Sequence, residues 1–298
     1  MAGICSISKF IYRAPGSLDE TLRLLKTIGA HARILAGGTD LMIQMKHGQV
    51  CPSLVLDVKK VPELNILEWS RQEGLRIGAA VPLSKLVALT ALPREFSFLV
   101  QACSIIGSMQ IRNRGTLGGN ICNAAPSADS APPLLCLGAT SIMASSNGSR
   151  TIKLDDFFLA PGQTAMEKDE LLVEIDVPTP PARSAGCYLR HTVREEMDIA
   201  VAGVASFLTL SPQNKKLKEV RIALGAVAPT PRRAHQSEAI LSGKSVTQSI
   251  IEQAAEKAAE EADPISDLRA SAEYRRELVK VLTRRTLRKS CEQLGIKV

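Results

Sequence analysis

Aromatic residues make up only 3% of the 298 residues, with one Trp, three Tyr and six Phe. That scarcity argues against a nucleic-acid-binding module, because single-strand binders need aromatic faces for the bases as well as positive charge. The seven cysteines, Cys5, Cys51, Cys103, Cys122, Cys136, Cys187 and Cys291, contain no C-x-x-C pair. An odd, scattered set of this kind suits reduced thiols rather than a disulfide framework. The four histidines, His31, His47, His191 and His235, are equally dispersed, so no metal site is expected. The longest apolar stretch, Ile199 to Leu210, is interrupted by Gly203, Ser206 and Thr209. It falls short of the ~20 residues a spanning helix requires. Lys9 and Arg13 stand among mixed polar residues without the pattern of a secretory signal, and a cytoplasmic protein is expected. No G-x-G-x-x-G, G-x-S-x-G or H-E-x-x-H occurs. Gly243-Lys244-Ser245 has the tail of a P-loop, but Glu238 stands where its first glycine belongs.

What is present is an ordinary globular composition, with 45% hydrophobic and 22% charged residues. At roughly 150 residues per domain the length suggests two domains. The net charge of +7 is unevenly spread. Eight basic residues against Glu273 and Glu277 fall between Arg269 and Lys289, on a segment whose Tyr274, Leu278, Val281 and Leu282 mark one helix face. That segment reads either as a solvated basic face or as a docking surface for an acidic partner.

The element pattern begins with a helix. Ser17 and Glu20 form a capping box, Leu18, Leu22, Leu25 and Ile28 supply the stripe, and Gly29 the stop. Strands are expected at Arg33 to Ala36, Leu54 to Val58 and Leu75 to Ile77, with helices after Ser84 and around Phe98 to Ile106. Pro178-Thr179-Pro180-Pro181 is the linker candidate, dividing the chain into 1–177 and 182–298. Beyond it, strands at Ala200 to Leu210 and Glu219 to Ala226 flank a turn at Ser211 to Lys216, and helices at Gln248 to Ala262 and Ser271 to Leu294 follow.

Two glycine-rich turns carry the functional signal: Gly37-Gly38-Thr39-Asp40 and Gly115-Thr116-Leu117-Gly118-Gly119-Asn120. Glycine reaches φ > 0 without steric cost and, lacking a Cβ, lets a phosphate approach the main chain. Each turn is read as a strand-to-loop transition, and two in one domain suggest a pyrophosphate held from both sides. The residues alone support a two-domain protein with a dinucleotide pocket.

Ile34 to Leu41, with Gln110-Ile111-Arg112-Asn113 leading into Gly115 to Asn120 and then Pro126-Ser127-Ala128-Asp129, resembles the FAD-binding medium subunit of molybdenum hydroxylases. That family includes the flavoprotein subunits of xanthine and carbon monoxide dehydrogenases. Arg194 to Ala200 and Ala272 to Arg275 extend the similarity along the chain.

The resemblance implies an α+β fold: an N-terminal vanillyl-alcohol-oxidase-type FAD domain of two α/β subdomains, then a small domain of a three-stranded sheet plus a helical bundle. It implies FAD as cofactor, with Ile34, Leu35, Ala36, Gly37, Gly38, Thr39, Asp40 and Leu41, and Thr116, Leu117, Gly118, Gly119 and Asn120, along the pyrophosphate. Asp129 would lie within hydrogen-bonding reach of FAD, and Ile106 and Leu172 near the flavin. Arg190 stands where relatives often carry Lys, and a cation facing the flavin there would stabilise its reduced anionic form. The implied partners are a molybdopterin-binding large subunit and a 2Fe-2S small subunit in a dimer of heterotrimers, with NAD+, a quinone or oxygen as acceptor. Met197-Asp198-Ile199 inclines the reading toward the xanthine dehydrogenase side. The competing enzyme reading is a self-sufficient flavin reductase of the same FAD fold.

Overall fold

The computed structural model describes residues 7–211 and 216–298. The turn expected over Ser211 to Lys216 falls largely on 212–215, outside the described residues.

The first helix, Leu18–Ile28, follows its sequence signals. Ser17 Oγ accepts from Glu20 N–H at 3.3 Å, and Gly29 ends the helix at φ 55°. The Glu20 carboxylate reaches back to Gly16 N–H at 3.1 Å, one residue earlier than a capping box requires. This helix and Leu41–Lys46 connect a parallel three-stranded sheet in the order Ile11–Arg13, Leu54–Asp57, Ala32–Leu35. A second, antiparallel sheet is ordered Leu67–Ser70, Gly74–Gly78, Leu171–Val177, Thr140–Ser145, Gly148–Lys153. The cleft described below lies between these two sheets, floored by short helices.

The third sheet is ordered Ser184–His191, Ala202–Leu210, Leu217–Gly225 and the two-residue edge strand Arg232–Arg233. It therefore has three long strands and a short fourth, where three were expected. Every residue of Ala202–Leu210 is buried because both faces are covered. Ala205 and Phe207 join the N-terminal core, with Phe207 stacked on Phe98 at 5.9 Å. Val204 and Leu208 join the C-terminal core with Val279 and Leu282 of the last helix. A strand buried on both faces reads as a continuous apolar run, which accounts for Ile199 to Leu210. No helix among the described residues is long and apolar enough to cross a membrane.

The last helix, Ala272–Gln293, is capped by Ser271 Oγ, but its buried face is rotated from the apolar stripe read in the sequence. Tyr274 is exposed, while Arg275, Val279, Leu282, Thr283, Thr286, Leu287, Ser290 and Cys291 point inward. Arg275 is 4% exposed and donates to Val201 O at 2.6 Å, Ala226 O at 3.1 Å and Asp267 Oδ1 at 2.9 Å. A guanidinium with these acceptors is tolerated inside where a bare charge is not. Arg284 is bonded to Glu252, Lys280 to Glu277 at 2.9 Å, and Arg288 to Gln248 at 2.8 Å. Much of the basic segment is thus satisfied within the domain, which weakens the docking-surface reading.

Candidate functional site

The strand Ala32–Leu35 ends at the first glycine turn. Gly38 turns the chain at φ 75°, and Gly38 O and Asp40 O accept from Met42 N–H and Gln44 N–H to start the helix Leu41–Lys46. The second turn is not a strand-to-loop transition. It joins Met109–Arg112, capped by Ser108 Oγ, to the short helix Leu117–Cys122, whose N-cap Thr116 Oγ1 accepts from Gly119 N–H at 2.9 Å. Gly118 and Gly119 are therefore helical, and of the glycines in the two turns only Gly38 has positive φ.

The others serve close approach. A Cβ built on Gly37 would lie 2.6 Å from Gly115 Cα and nearer still to the Arg114 carbonyl oxygen. A Cβ on Gly118 would lie 2.6 Å from Ala79 Cα, whereas one on Gly119 would meet only Thr116 Oγ1, at 3.0 Å. The two turns thus press together backbone to backbone, and Gly119 stays open toward the space between them.

That space is a cleft of about 510 Å³, within the roughly 300–1,000 Å³ usual for ligand sites. Ile34, Ala36, Gly37, Gly38, Thr39, Asp40 and Leu41 line one side, and Thr116, Gly118, Gly119 and Asn120 the other, with Ile106 and Leu172 in the wall. Leu35, Leu117, Asp129 and Arg190 are not in the wall. Leu117 is wholly buried in the N-terminal core, and a Cβ on Gly38 would lie 2.6 Å from Leu35 Cδ1, so Leu35 packs under the turn.

Asp129 and Arg190 are paired with each other behind the cleft. Arg190 Nη1 bonds to Asp129 Oδ2, and Tyr188 Oη donates to Asp129 Oδ1 at 2.7 Å. Burial pushes the Asp129 carboxyl above its ordinary value, opposed by the Arg190 charge and the Tyr188 hydrogen bond. Burial and the same carboxylate push the Tyr188 hydroxyl well up. The pair touches the cleft through neighbours: Arg190 Nη2 donates to Ile105 O at 3.1 Å, beside Ile106, and Ser130 Oγ donates to Asn120 Oδ1 at 2.6 Å. Asn123 Nδ2 reaches across to Asp40 Oδ1 at 3.4 Å.

Ala79, Ile111, Gly115, Cys122, Asn123, Met166 and Leu171 also line the cleft, beyond the residues expected from sequence. Ile111 and Gly115 lie inside the motif segments and were legible there. Ala79 and Met166 come from distant loops with no local signal. Burial raises the Cys122 thiol to about 12, so it remains a thiol in the wall, 3.7 Å from Met166 Sδ.

These residues suit a dinucleotide. In the first turns of the two short helices the Met42 and Gly119 N–H groups are bonded to Gly38 O and Thr116 Oγ1; the other first-turn N–H groups have no intrahelical partner, and the glycines admit an anion to the backbone. Ile106, Leu171, Leu172 and Met166 offer apolar surface to a flat ring system. FAD has both parts, an anionic pyrophosphate and planar rings, so the donor set fits it.

Residues 8–180 match the FAD-binding domain of molybdopterin dehydrogenases, and residues 188–290 match the carbon monoxide dehydrogenase flavoprotein C-terminal domain. The chain is 32% identical to the xanthine dehydrogenase FAD-binding subunit of Escherichia coli O157:H7, over 96% of this chain and 98% of that one. It is 34% identical to the glyceraldehyde dehydrogenase medium chain of Sulfolobus acidocaldarius, over 92% and 96% respectively. A chain of the carbon monoxide dehydrogenase from Hydrogenophaga pseudoflava that lacks the Mo-pyranopterin moiety superposes with a TM-score of 0.92 at 32% identity, covering 97% of this chain and 99% of that one. The protein belongs to the FAD-binding medium subunits of the molybdenum hydroxylases, a flavoprotein oxidoreductase family.

Proposed function

We propose that this chain is the middle subunit of a xanthine-dehydrogenase-like complex, taking electrons from the 2Fe-2S clusters of a small subunit and delivering them to NAD+. The supporting observation is the cleft itself, where two glycine turns meet around a site suited to FAD. Bound FAD supplies the chemistry of accepting electrons singly and releasing them as a pair. The chain's own residues bind and orient. Thr116 caps the helix on which Gly118 and Gly119 line the cleft, and Leu171, Leu172 and Ile106 supply apolar wall for the rings. Gly119 leaves room for the diphosphate. The large subunit would carry the molybdenum site and set the organic substrate, with the assembly a dimer of heterotrimers. The reading extends to the site residues behind the cleft. Asp129, beside Ser130 in the N-terminal domain, and Arg190, from the C-terminal domain, support its wall through Ser130 and Ile105.

The resemblance to a xanthine dehydrogenase subunit is matched by that to a glyceraldehyde dehydrogenase medium chain. Medium subunits for carbon monoxide, aldehydes or N-heterocycles are therefore the alternatives. Two assays separate them. Anaerobic NADH added to the FAD-loaded chain should bleach the visible flavin bands if NAD+ is the acceptor, and no bleaching would point to another acceptor. The complex purified with its neighbouring subunits should oxidise xanthine faster than glyceraldehyde, quinoline or carbon monoxide. The reverse order would reassign the substrate.

A further inference from the structure

The support beneath the first glycine turn is a group of three side chains that do not line the cleft. Asp57, the last residue of Leu54–Asp57, is paired with Leu35 in the parallel sheet, so the chain beyond it runs along the turn. Val58 N–H donates to Leu35 O at 3.1 Å, and Lys59 Nζ donates to Ala36 O at 3.3 Å. The ammonium is also 2.8 Å from Asp57 Oδ2. Asp57 Oδ1 accepts from Lys59 N–H at 3.1 Å, and Tyr12 Oη donates to Asp57 Oδ2 at 2.6 Å. Tyr12, Asp57 and Ala36 belong to or follow the three strands of one sheet, so the group fastens all three to the turn.

The peptide between Ala36 and Gly37 is trans, like every other described peptide bond. In a trans peptide the carbonyl oxygen and the N–H point to opposite sides. Ala36 O is held by Lys59, which lies outside the cleft wall, so the Gly37 N–H is turned away from Lys59. Gly37 itself lines the cleft, and the Arg114–Gly115 backbone runs so near that a Cβ there would not fit. A cation on the carbonyl also polarises the amide and strengthens its N–H as a donor.

We propose that Lys59 is a positioning residue for cofactor binding: it orients and polarises the Ala36–Gly37 peptide so that Gly37 N–H donates to the cofactor's pyrophosphate, while Asp57 and Tyr12 hold Lys59 in place. The inference rests on the cleft being the FAD site. It assigns a role to a side chain that lies outside the glycine motifs and does not itself line the cleft.

The test is fluorescence titration of the deflavinated full chain with FAD, beside thermal melts of the FAD-free protein. Lys59→Met keeps length and loses charge. It should raise the Kd for FAD about tenfold, equivalent to roughly 1.4 kcal/mol, with the melting temperature of the FAD-free chain unchanged. Lys59→Arg keeps a cation and should restore affinity to within about threefold of wild type, the remainder reflecting the different shape of a guanidinium. Unchanged affinity in Lys59→Met overturns the proposal. A loss that Lys59→Arg does not restore, or one matched by a fall in the melting temperature of the FAD-free chain, overturns it as well. Failure of the wild-type chain to bind FAD is a separate result, and it would remove the reading of the cleft rather than the role of Lys59 alone.

Discussion

Gly37 and Gly115 lie against each other where the two glycine-rich turns cross, so close that a Cβ on Gly37 would fall 2.6 Å from Gly115 Cα. The obstacle is backbone on both sides, which has no rotamer to yield. Gly37→Ala should therefore destabilise the N-terminal domain by about 1–3 kcal/mol, the usual range for overpacking. It should also lower flavin content, because the turns must part. Thermal melting and the flavin-to-protein absorbance ratio check both effects.

Gly119→Val separates binding from folding. Its side chain would meet only the Thr116 hydroxyl and otherwise project into the cleft. FAD retention should be lost while the melting temperature of the FAD-free chain stays close to wild type. Gly118→Ala should do the opposite first, lowering stability through its contact with Ala79. If Gly119→Val holds normal flavin after gel filtration, the second turn is structural only.

The glycine turns were legible because close backbone approach leaves no substitute for glycine, and the order of the two motifs carried the family resemblance. Their conformations were not. A glycine pair looks the same whether it serves positive φ, as at Gly38, or helix packing, as at Gly118. The partnership of Asp129 with Arg190 was hidden because it joins residues from two domains. The rotated face of the last helix was hidden for another reason. The buried face sets Arg275, received by the carbonyls of Val201 and Ala226, beside Val279, Leu282 and Leu287, so an apolar stripe alone does not locate it. Pro132 and Pro133 do not prevent the helix Ala131–Leu137, because they sit in its first turn, where a missing N–H costs nothing.

Arg275→Met would leave the carbonyls of Val201 and Ala226 and the Asp267 carboxylate without their shared donor. Removing one side of a buried charge network costs about 3–5 kcal/mol. The C-terminal domain should unfold at lower urea concentration than in wild type, followed by far-UV circular dichroism. A shift no larger than that of an exposed control such as Arg285→Met would mean the network contributes little.

Glu170 gives a prediction with a sign. Its carboxyl is held below the ordinary value of 4.5, chiefly by hydrogen bonds from Arg150, against burial that pushes it up. The contact stabilises the loop that brings Met166 to the cleft, since Arg150 Nη2 also donates to Ala165 O at 2.8 Å. A carboxyl lowered by folding contributes stability that is present above its unfolded value and is lost as pH falls through the folded one. Glu170→Gln should cost roughly 1 kcal/mol at neutral pH, a modest figure because Arg150 is 41% exposed and the pair is screened. The gap to wild type should close as pH drops below 4.5. Melting curves of both proteins across a pH series read this directly, and a gap that stays constant into acid would assign the effect to packing.

The most direct measurement is the visible absorption spectrum of the purified chain after reconstitution with FAD and gel filtration. Flavin bands at about one FAD per chain are expected, with the flavin released intact on denaturation. A protein that elutes folded and colourless would contradict the assignment of the cleft.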